Sequence, residues 1–194
     1  MLIGISGGIG SGKSVVSRIL RLKGMTVYDC DSEAKRLMAD SHKIKERIRD
    51  EISPQVTDGE RIPDRALLAE IIFNDETARK KLNTIVHGAV RDDVLKRMAT
   101  ERILWVEAAI LAESGLAEFC DRIWKIVTPT DLRISNVVNR DGCSVEHAFK
   151  RLRSQESEQH LLIKYENKTD MIFNNSQSSL LFQIEELLRD VVAY

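Results

Sequence analysis

The stretch Gly7-Gly8-Ile9-Gly10-Ser11-Gly12-Lys13-Ser14 decides the fold of this 194-residue chain. It follows a short apolar run, Leu2-Ile3-Gly4-Ile5-Ser6, that is typical of a buried strand. It precedes apolar residues at helical spacing between Val15 and Leu22. A strand, the pattern G-x-x-x-x-G-K-S and a helix are the three parts of a Walker A loop. The sequence therefore predicts a site for a nucleoside triphosphate.

Each residue type in this phosphate loop suits that task. Glycines let the backbone turn its N–H groups inward, and the start of the following helix adds positive potential. Lys13 can then reach the terminal phosphates, and the Ser14 hydroxyl can bind magnesium. The residues expected to bind the nucleotide are Gly8, Gly10, Ser11, Gly12, Lys13, Ser14 and Val15.

A pair of carboxylates lies at the end of the next predicted strand. Gly24 ends the first helix, and residues 25–28 are typical of a strand that runs into Asp29-Cys30-Asp31. Ligands of open parallel sheets gather at the carboxyl ends of the strands, so this pair predicts substrate chemistry. The alternative, which applies more to Asp29 than to Asp31, is that a carboxylate only caps the next helix.

The remaining apolar runs predict the rest of an α/β fold. Strands are expected at residues 103–106, 122–127 and 171–173, with helical patterns between them. Alternation of strands and helices favours a five-stranded parallel sheet with helices on both faces. We expect a single domain with its core at residues 1–58, 99–136 and 161–194, a helical substrate-binding insert at 59–98 and a lid at 137–160.

Two polar clusters outside the loop are candidates for substrate contacts. His87 and Arg91 share one side of a predicted helix at spacing i, i+4. Basic residues between Arg133 and Arg153, flanked by helix breaks, suit a mobile lid that folds over phosphates. For both clusters the alternative is an ordinary solvated helix face.

Composition narrows the class of function. Lysine plus arginine (29) nearly balances aspartate plus glutamate (30), which disfavours nucleic acid as a partner. The three cysteines form no C-x-x-C pair and suit a reducing compartment. The first strand leaves no room for a signal peptide, and no apolar run approaches the roughly eighteen residues of a membrane span. We expect a cytoplasmic protein without a membrane partner, either a monomer or a small homo-oligomer.

The segment Asn167-Lys168-Thr169-Asp170 matches N-K-x-D, the guanine-reading motif of small GTPases. A GTPase switch also needs a D-x-x-G segment that holds magnesium and senses the γ-phosphate, and the sequence has none. In GTPases the motif follows its strand, whereas the predicted strand here follows the motif. A GTPase-type switch is therefore the weaker interpretation.

The phosphate loop and the acidic pair together resemble dephospho-CoA kinases. That family typically reads T-G-G-I-G-S-G-K-S at the loop, where this chain has residues 6–14, and D-A-D at the second strand, where it has residues 29–31. The similarity spans the whole chain. Further matching segments are Asp64-Arg65 with Leu68 (D-R-x-x-L), Leu82–Arg91 (L-x-x-I-x-H-P-x-V/I-R), Arg140–Gly142 (R-D-G), Arg151–Gln155 (R-I-x-x-Q) and Ile172–Asn175 (I-x-N-N).

The resemblance implies a P-loop kinase fold and the last step of coenzyme A synthesis. In that step the γ-phosphoryl group of ATP moves to the ribose 3′-hydroxyl of dephospho-CoA, with Mg²⁺ as cofactor. Lys13 would hold the β- and γ-phosphates and Ser14 the magnesium. Asp31 would accept the proton of the hydroxyl, and Arg140 would close over the γ-phosphoryl group. The residues expected to bind the acceptor are Asp29, Asp31, His87 and Arg91.

Several positions depart from the family pattern. Gly88 stands where proline is usual, and residues 109–112 replace P-L-L-F, so that only Glu113 carries over from that segment. Asn136 stands where an arginine is usual, and Arg133 is the nearby residue that could supply the charge. The rival interpretation is another small P-loop kinase, such as one that acts on a nucleoside monophosphate.

Overall fold

The computed structural model describes residues 1–56 and 65–192. Asp64 and the first residues of the predicted insert lie outside this range. In the described residues the strands are β1 (Leu2–Ser6), β2 (Val27–Asp29), β3 (Leu104–Glu107), β4 (Arg122–Val127) and β5 (Thr169–Phe173). The helices are α1 (Lys13–Leu22), α2 (Cys30–Asp40), α3 (His42–Glu51), α4 (Arg65–Asn74), α5 (Glu76–Met98), α6 (Thr130–Asp141), α7 (Val145–Arg153), α8 (Glu156–Leu162) and α9 (Leu180–Val192).

The strands form one five-stranded parallel sheet in the order β2-β3-β1-β4-β5. The predicted α/β fold is therefore confirmed. Strand β1 lies in the middle, with Ile5 opposite Glu107 of β3 and opposite Trp124 of β4. Because parallel neighbours end at the same edge, the ends of β3 and β4 lie beside the loop that follows β1.

One face of the sheet packs against α1 and α9. Its core contains the side chains of Ile3 and Ile5 together with the edge-to-face pair Trp105 and Trp124, whose ring centroids are 4.4 Å apart. Burial of such residues is the main stabilising contribution to the fold, at about 25 cal/mol per Å² of apolar surface. The remaining members of this core are Val16, Leu20, Ile126, Ile172, Ile184, Leu188 and Val191.

The chain forms two compact units. The first, a nucleotide unit, comprises residues 1–28 and 100–194 and contains most of the sheet and the phosphate loop. The second, a helical unit, comprises residues 29–99 and contains α2 to α5. No helix within the described residues is long and apolar enough to cross a membrane.

Candidate active site

The phosphate loop joins β1 to α1 in the predicted way. Gly12 precedes α1 with φ +96°, a left-handed conformation that strains any residue with a Cβ atom. The Lys13 ammonium folds back over the loop and donates to the carbonyl oxygens of Gly7 at 2.7 Å and Gly8 at 3.4 Å. The loop thus forms a cup with a cation on its rim.

The backbone of this cup suits an anion. Among the described residues, the amides of Gly10, Gly12 and Ser14 have no hydrogen-bond acceptor. Unpaired N–H groups at the start of a helix, together with the helix dipole, make a ready site for phosphate. The Ser11 carbonyl accepts hydrogen bonds from the side chains of Thr128 at 2.8 Å and Asn174 at 3.0 Å. The residues present therefore fit a polyphosphate.

Magnesium has two candidate protein ligands beside this cup. Ser14 lies in the first turn of α1, and Glu107 ends β3, the neighbour of β1. In P-loop NTPases the loop hydroxyl and an acidic residue at a strand end hold the ion together with the phosphates. Sequence reasoning missed Glu107. The pattern that could have identified this residue is a carboxylate directly after a buried apolar run.

Helix α6 contacts the loop through two side chains one turn apart. Arg133 Nε donates to the carbonyl oxygen of Ile9 at 3.0 Å, and Asn136 Nδ2 donates to that of Gly10 at 2.9 Å. The Ile9 amide in turn donates to Oε1 of Gln155, which follows α7, at 2.7 Å. Gln155 of the predicted lid region, and the part of α6 that leads into this region, therefore both contact the phosphate loop.

A buried carboxylate fixes the end of the lid region. Glu158 on α8 is only 2% exposed and accepts from the amides of Ala112 and Glu113, each at 2.9 Å. Burial raises the pKa of Glu158 above its usual range, although the amide hydrogen bonds oppose this. The Glu113 carboxylate accepts a hydrogen bond from Ser157. The one residue retained from the family's P-L-L-F-E segment thus contacts α8.

Arg140 is engaged in an ion pair within the lid region. Its guanidinium donates to both carboxylate oxygens of Asp141, at 2.7 Å and 3.0 Å, and Arg151 pairs with the same carboxylate. Hydrogen bonds from Arg140 and Arg151 hold the pKa of Asp141 well below its usual range. The Arg140 side chain is 58% exposed, so this pair is largely screened by solvent.

In the helical unit, Asp29 caps α2. One oxygen of its carboxylate accepts from the amides of Asp31 at 3.0 Å and Ser32 at 3.1 Å, and the other accepts from the Ser32 hydroxyl. Asp29 therefore caps α2, as the alternative interpretation of this residue predicted. Asp31 lies in the first turn of α2, and its residue is exposed to solvent. The cap engages the amide of Asp31, so its carboxylate is left available to a substrate.

A pocket of about 360 Å³ lies between α2, α3 and α5 of the helical unit. Arg91 lines it, whereas His87, one turn earlier on α5, does not. Gly88, which replaces the family's proline, also lies in the wall. The lining also contains three further cations, Lys43, Arg47 and Lys96, two carboxylates, Asp92 and Asp93, and apolar residues that include Leu37, Ile44, Ile85 and Ala89.

The N-K-x-D segment lies far from the phosphate loop within the nucleotide unit. Thr169 and Asp170 begin β5, at the amino edge of the sheet, whereas the phosphate loop follows the carboxyl end of β1. The Asp170 carboxylate accepts two hydrogen bonds from Arg122, at 2.9 Å and 3.0 Å. Lys168 donates to the Cys120 carbonyl at 2.6 Å. This placement does not fit guanine recognition.

A parallel sheet, a Walker A cup and a lid region define the class of P-loop kinases. The sequence profile of the dephospho-CoA kinase family matches residues 1–180. The chain belongs to the dephospho-CoA kinase family. This membership confirms the predicted resemblance and favours it over a nucleoside monophosphate kinase or a GTPase-type switch.

Individual relatives agree with this assignment. A dephospho-CoA kinase of Bacteroides fragilis is 36% identical over 189 residues, 96% of this chain and 90% of the relative. The solved dephospho-CoA kinase of Campylobacter jejuni is 26% identical with a TM-score of 0.66, covering 98% of this chain and 96% of that one. The solved Thermus thermophilus protein TT1252 is 30% identical with a TM-score of 0.75, covering 100% and 96% of the two chains.

Proposed function

We propose that the chain transfers the γ-phosphoryl group of ATP to the ribose 3′-hydroxyl of dephospho-CoA, which yields coenzyme A and ADP. The observation that carries the proposal is the cup of unpaired amides around Lys13 at the head of α1. Family membership supplies the acceptor, because the cup by itself selects only a polyphosphate. The ADP and coenzyme A products follow from moving one phosphoryl group between two oxygens.

Phosphoryl transfer has a loose transition state, so the protein contributes positioning and charge neutralisation. The loop amides and Lys13 orient the β- and γ-phosphates. Ser14 and Glu107 would hold Mg²⁺, which would supply positive charge beside the phosphate oxygens. Asp31 accepts the proton of the 3′-hydroxyl, and Asp29 serves the acceptor by holding the turn that carries Asp31.

We assign the pocket of the helical unit to the acceptor. Its cations suit the phosphates of dephospho-CoA, and its apolar wall suits the pantetheine arm. Arg91 is therefore a substrate-binding residue in this proposal. His87 stays a prediction, since it does not line the pocket. The expected cytoplasmic location, the lack of macromolecular partners and the oligomeric state also stay predictions.

A coupled assay for ADP release tests the reaction. We expect release only when ATP and dephospho-CoA are both present, with a product heavier than the acceptor by one phosphate group. A nucleoside monophosphate or shikimate as the added acceptor should give only the background rate. Hydrolysis of ATP at the same rate without dephospho-CoA, or GTP as the better donor, would contradict the proposal.

Replacing Arg140 with alanine should lower turnover by roughly 10²–10³-fold, the range for a lost hydrogen-bond donor at a developing oxyanion. We propose that Arg140 leaves Asp141 when the lid closes, since Arg151 still pairs with that carboxylate. The Michaelis constants for ATP and acceptor should change little. Steady-state kinetics with Arg189→Ala, which removes an exposed cation of α9 outside the lid region, provides the control. A change confined to the acceptor's Michaelis constant would refute the lid role.

A further inference from the structure

The Arg133 guanidinium is a half-buried cation without a counter-ion in the described part of the chain. Its hydrogen bond is to the Ile9 carbonyl, and no carboxylate pairs with it among these residues. Burial lowers its pKa, but an arginine remains charged in proteins. Placing a charge in a partly desolvated site without a partner is costly, so the site is built for an anion.

The position of this cation is fixed by the phosphate loop itself. A Cβ atom on Gly8 would lie 2.1 Å from Nη2 of Arg133 and 2.6 Å from Cζ, so a residue with a Cβ atom at this position would displace the guanidinium. Glycine at position 8 is therefore required for Arg133 to lie against the loop. Lys13 Nζ lies 3.4 Å from the carbonyl oxygen of the same Gly8. Two cations of different elements thus flank one peptide group of the cup.

The three nitrogen atoms of the Arg133 guanidinium differ in their contacts. Nε donates to Ile9, while Nη1 and Nη2 lie over Gly8 without an acceptor in the described residues. A planar guanidinium held at one nitrogen can present the other two to a phosphate in fixed geometry. Asn136, at the position where the family usually has arginine, donates to Gly10 instead.

We infer that Arg133 binds the terminal phosphates of ATP beside Lys13 and is a catalytic residue, while Asn136 only holds the loop. Compared with the family pattern, the arginine is shifted by one helical turn, from position 136 to position 133. It stays on the same side of α6. This inference rests on the proposed function, because it needs a polyphosphate in the cup. The alternative is that Arg133 merely fastens α6 to Ile9.

Calorimetric titration of the full chain with ATP and with inorganic tripolyphosphate tests the inference. Arg133→Gln should raise the dissociation constants of both ligands by roughly 10- to 100-fold, as expected for lost charge-assisted hydrogen bonds. The salt dependence of ATP binding should become weaker, since one cation has been removed. Arg189→Gln, an exposed arginine on α9, controls for the change in net charge.

Two further variants separate anion binding from fastening. Arg133→Lys keeps the charge but loses the fork that reaches Ile9, so it should retain part of the ATP affinity even if it unfolds at a lower temperature. Asn136→Ala removes a neutral contact between the same helix and loop. It should lower the melting temperature of the free protein and leave the affinity for tripolyphosphate within about two-fold of the wild type, a shift below 0.5 kcal/mol.

The outcomes are distinct. If Arg133→Gln and Arg133→Lys lower the melting temperature equally, with both ligand affinities and the salt dependence unchanged, Arg133 is only a fastener and the inference is overturned. If the wild-type chain binds neither ATP nor tripolyphosphate, the proposed function fails instead. If Arg133→Gln does not fold, Arg133→Lys alone tests the inference. An affinity of Arg133→Lys for ATP that is no higher than the affinity of Lys13→Ala would refute it.

Discussion

Replacing Asp31 with asparagine lowers the turnover number by roughly 10²–10⁴-fold, the range for loss of a general base. The substitution keeps the shape of the side chain and removes its ability to accept a proton. The Asp31 amide still donates to Asp29, so the first turn of α2 remains capped. The dissociation constant for ATP should stay within about two-fold of the wild type, because the loop is untouched.

The matched control is Asp40→Asn at the other end of the same helix. Asp40 is also exposed and carries the same charge, so its replacement tests the effect of net charge on the reaction. We expect turnover to remain near that of the wild type. Wild-type turnover in Asp31→Asn would remove Asp31 from the role of base, and a loss confined to ATP affinity would assign it to the nucleotide instead.

Replacing Lys13 with alanine removes the cation on the rim of the cup. We expect the dissociation constant for ATP to rise roughly 10- to 100-fold and turnover to fall by a further 10²–10³-fold, since charge on the phosphate oxygens shifts in the transition state. Calorimetric titration gives the first effect, and the ADP assay with saturating ATP gives the second. Retained activity would refute the assignment of the phosphate loop.

Lys23→Ala is the matched control for this lysine. Lys23 follows the other end of α1 and pairs with Glu185 at 2.8 Å, on a partly exposed surface. Such a pair contributes at most about 1 kcal/mol to folding. Its loss should leave ATP binding unchanged, so an equal effect of both substitutions on affinity would point to general destabilisation of α1.

Local patterns account for the parts of the fold that the sequence predicted. The strand before the phosphate loop is a short apolar run that ends in Ser6, and the loop has glycine at position 12, where the backbone is left-handed. The predicted strand at residues 103–106 is β3, Leu104–Glu107, and the predicted strand at 171–173 is β5, Thr169–Phe173. Only the ends differ, because end residues depend on caps and neighbouring strands.

Contacts between distant positions could not be predicted in the same way. Arg133 and Ile9 are 124 positions apart, and Glu158 lies 46 positions from Ala112. Neither contact leaves a spacing pattern, since a helical arginine and a helical glutamate are most often solvated. The sequence did indicate that Asn136 was unusual. Its bond to Gly10 gives that departure a physical reason.

The position of β1 at the centre of the sheet has a consequence for biosynthesis. Leu2 is opposite Leu104, and Ser6 is opposite Lys125, so β1 has its neighbours far along the chain, at residues 104–107 and 122–127. Pairing across such long intervals is slow compared with the formation of local helices such as those of residues 29–99. The strand that precedes the phosphate loop therefore gains both of its neighbours only after residue 127 has been translated.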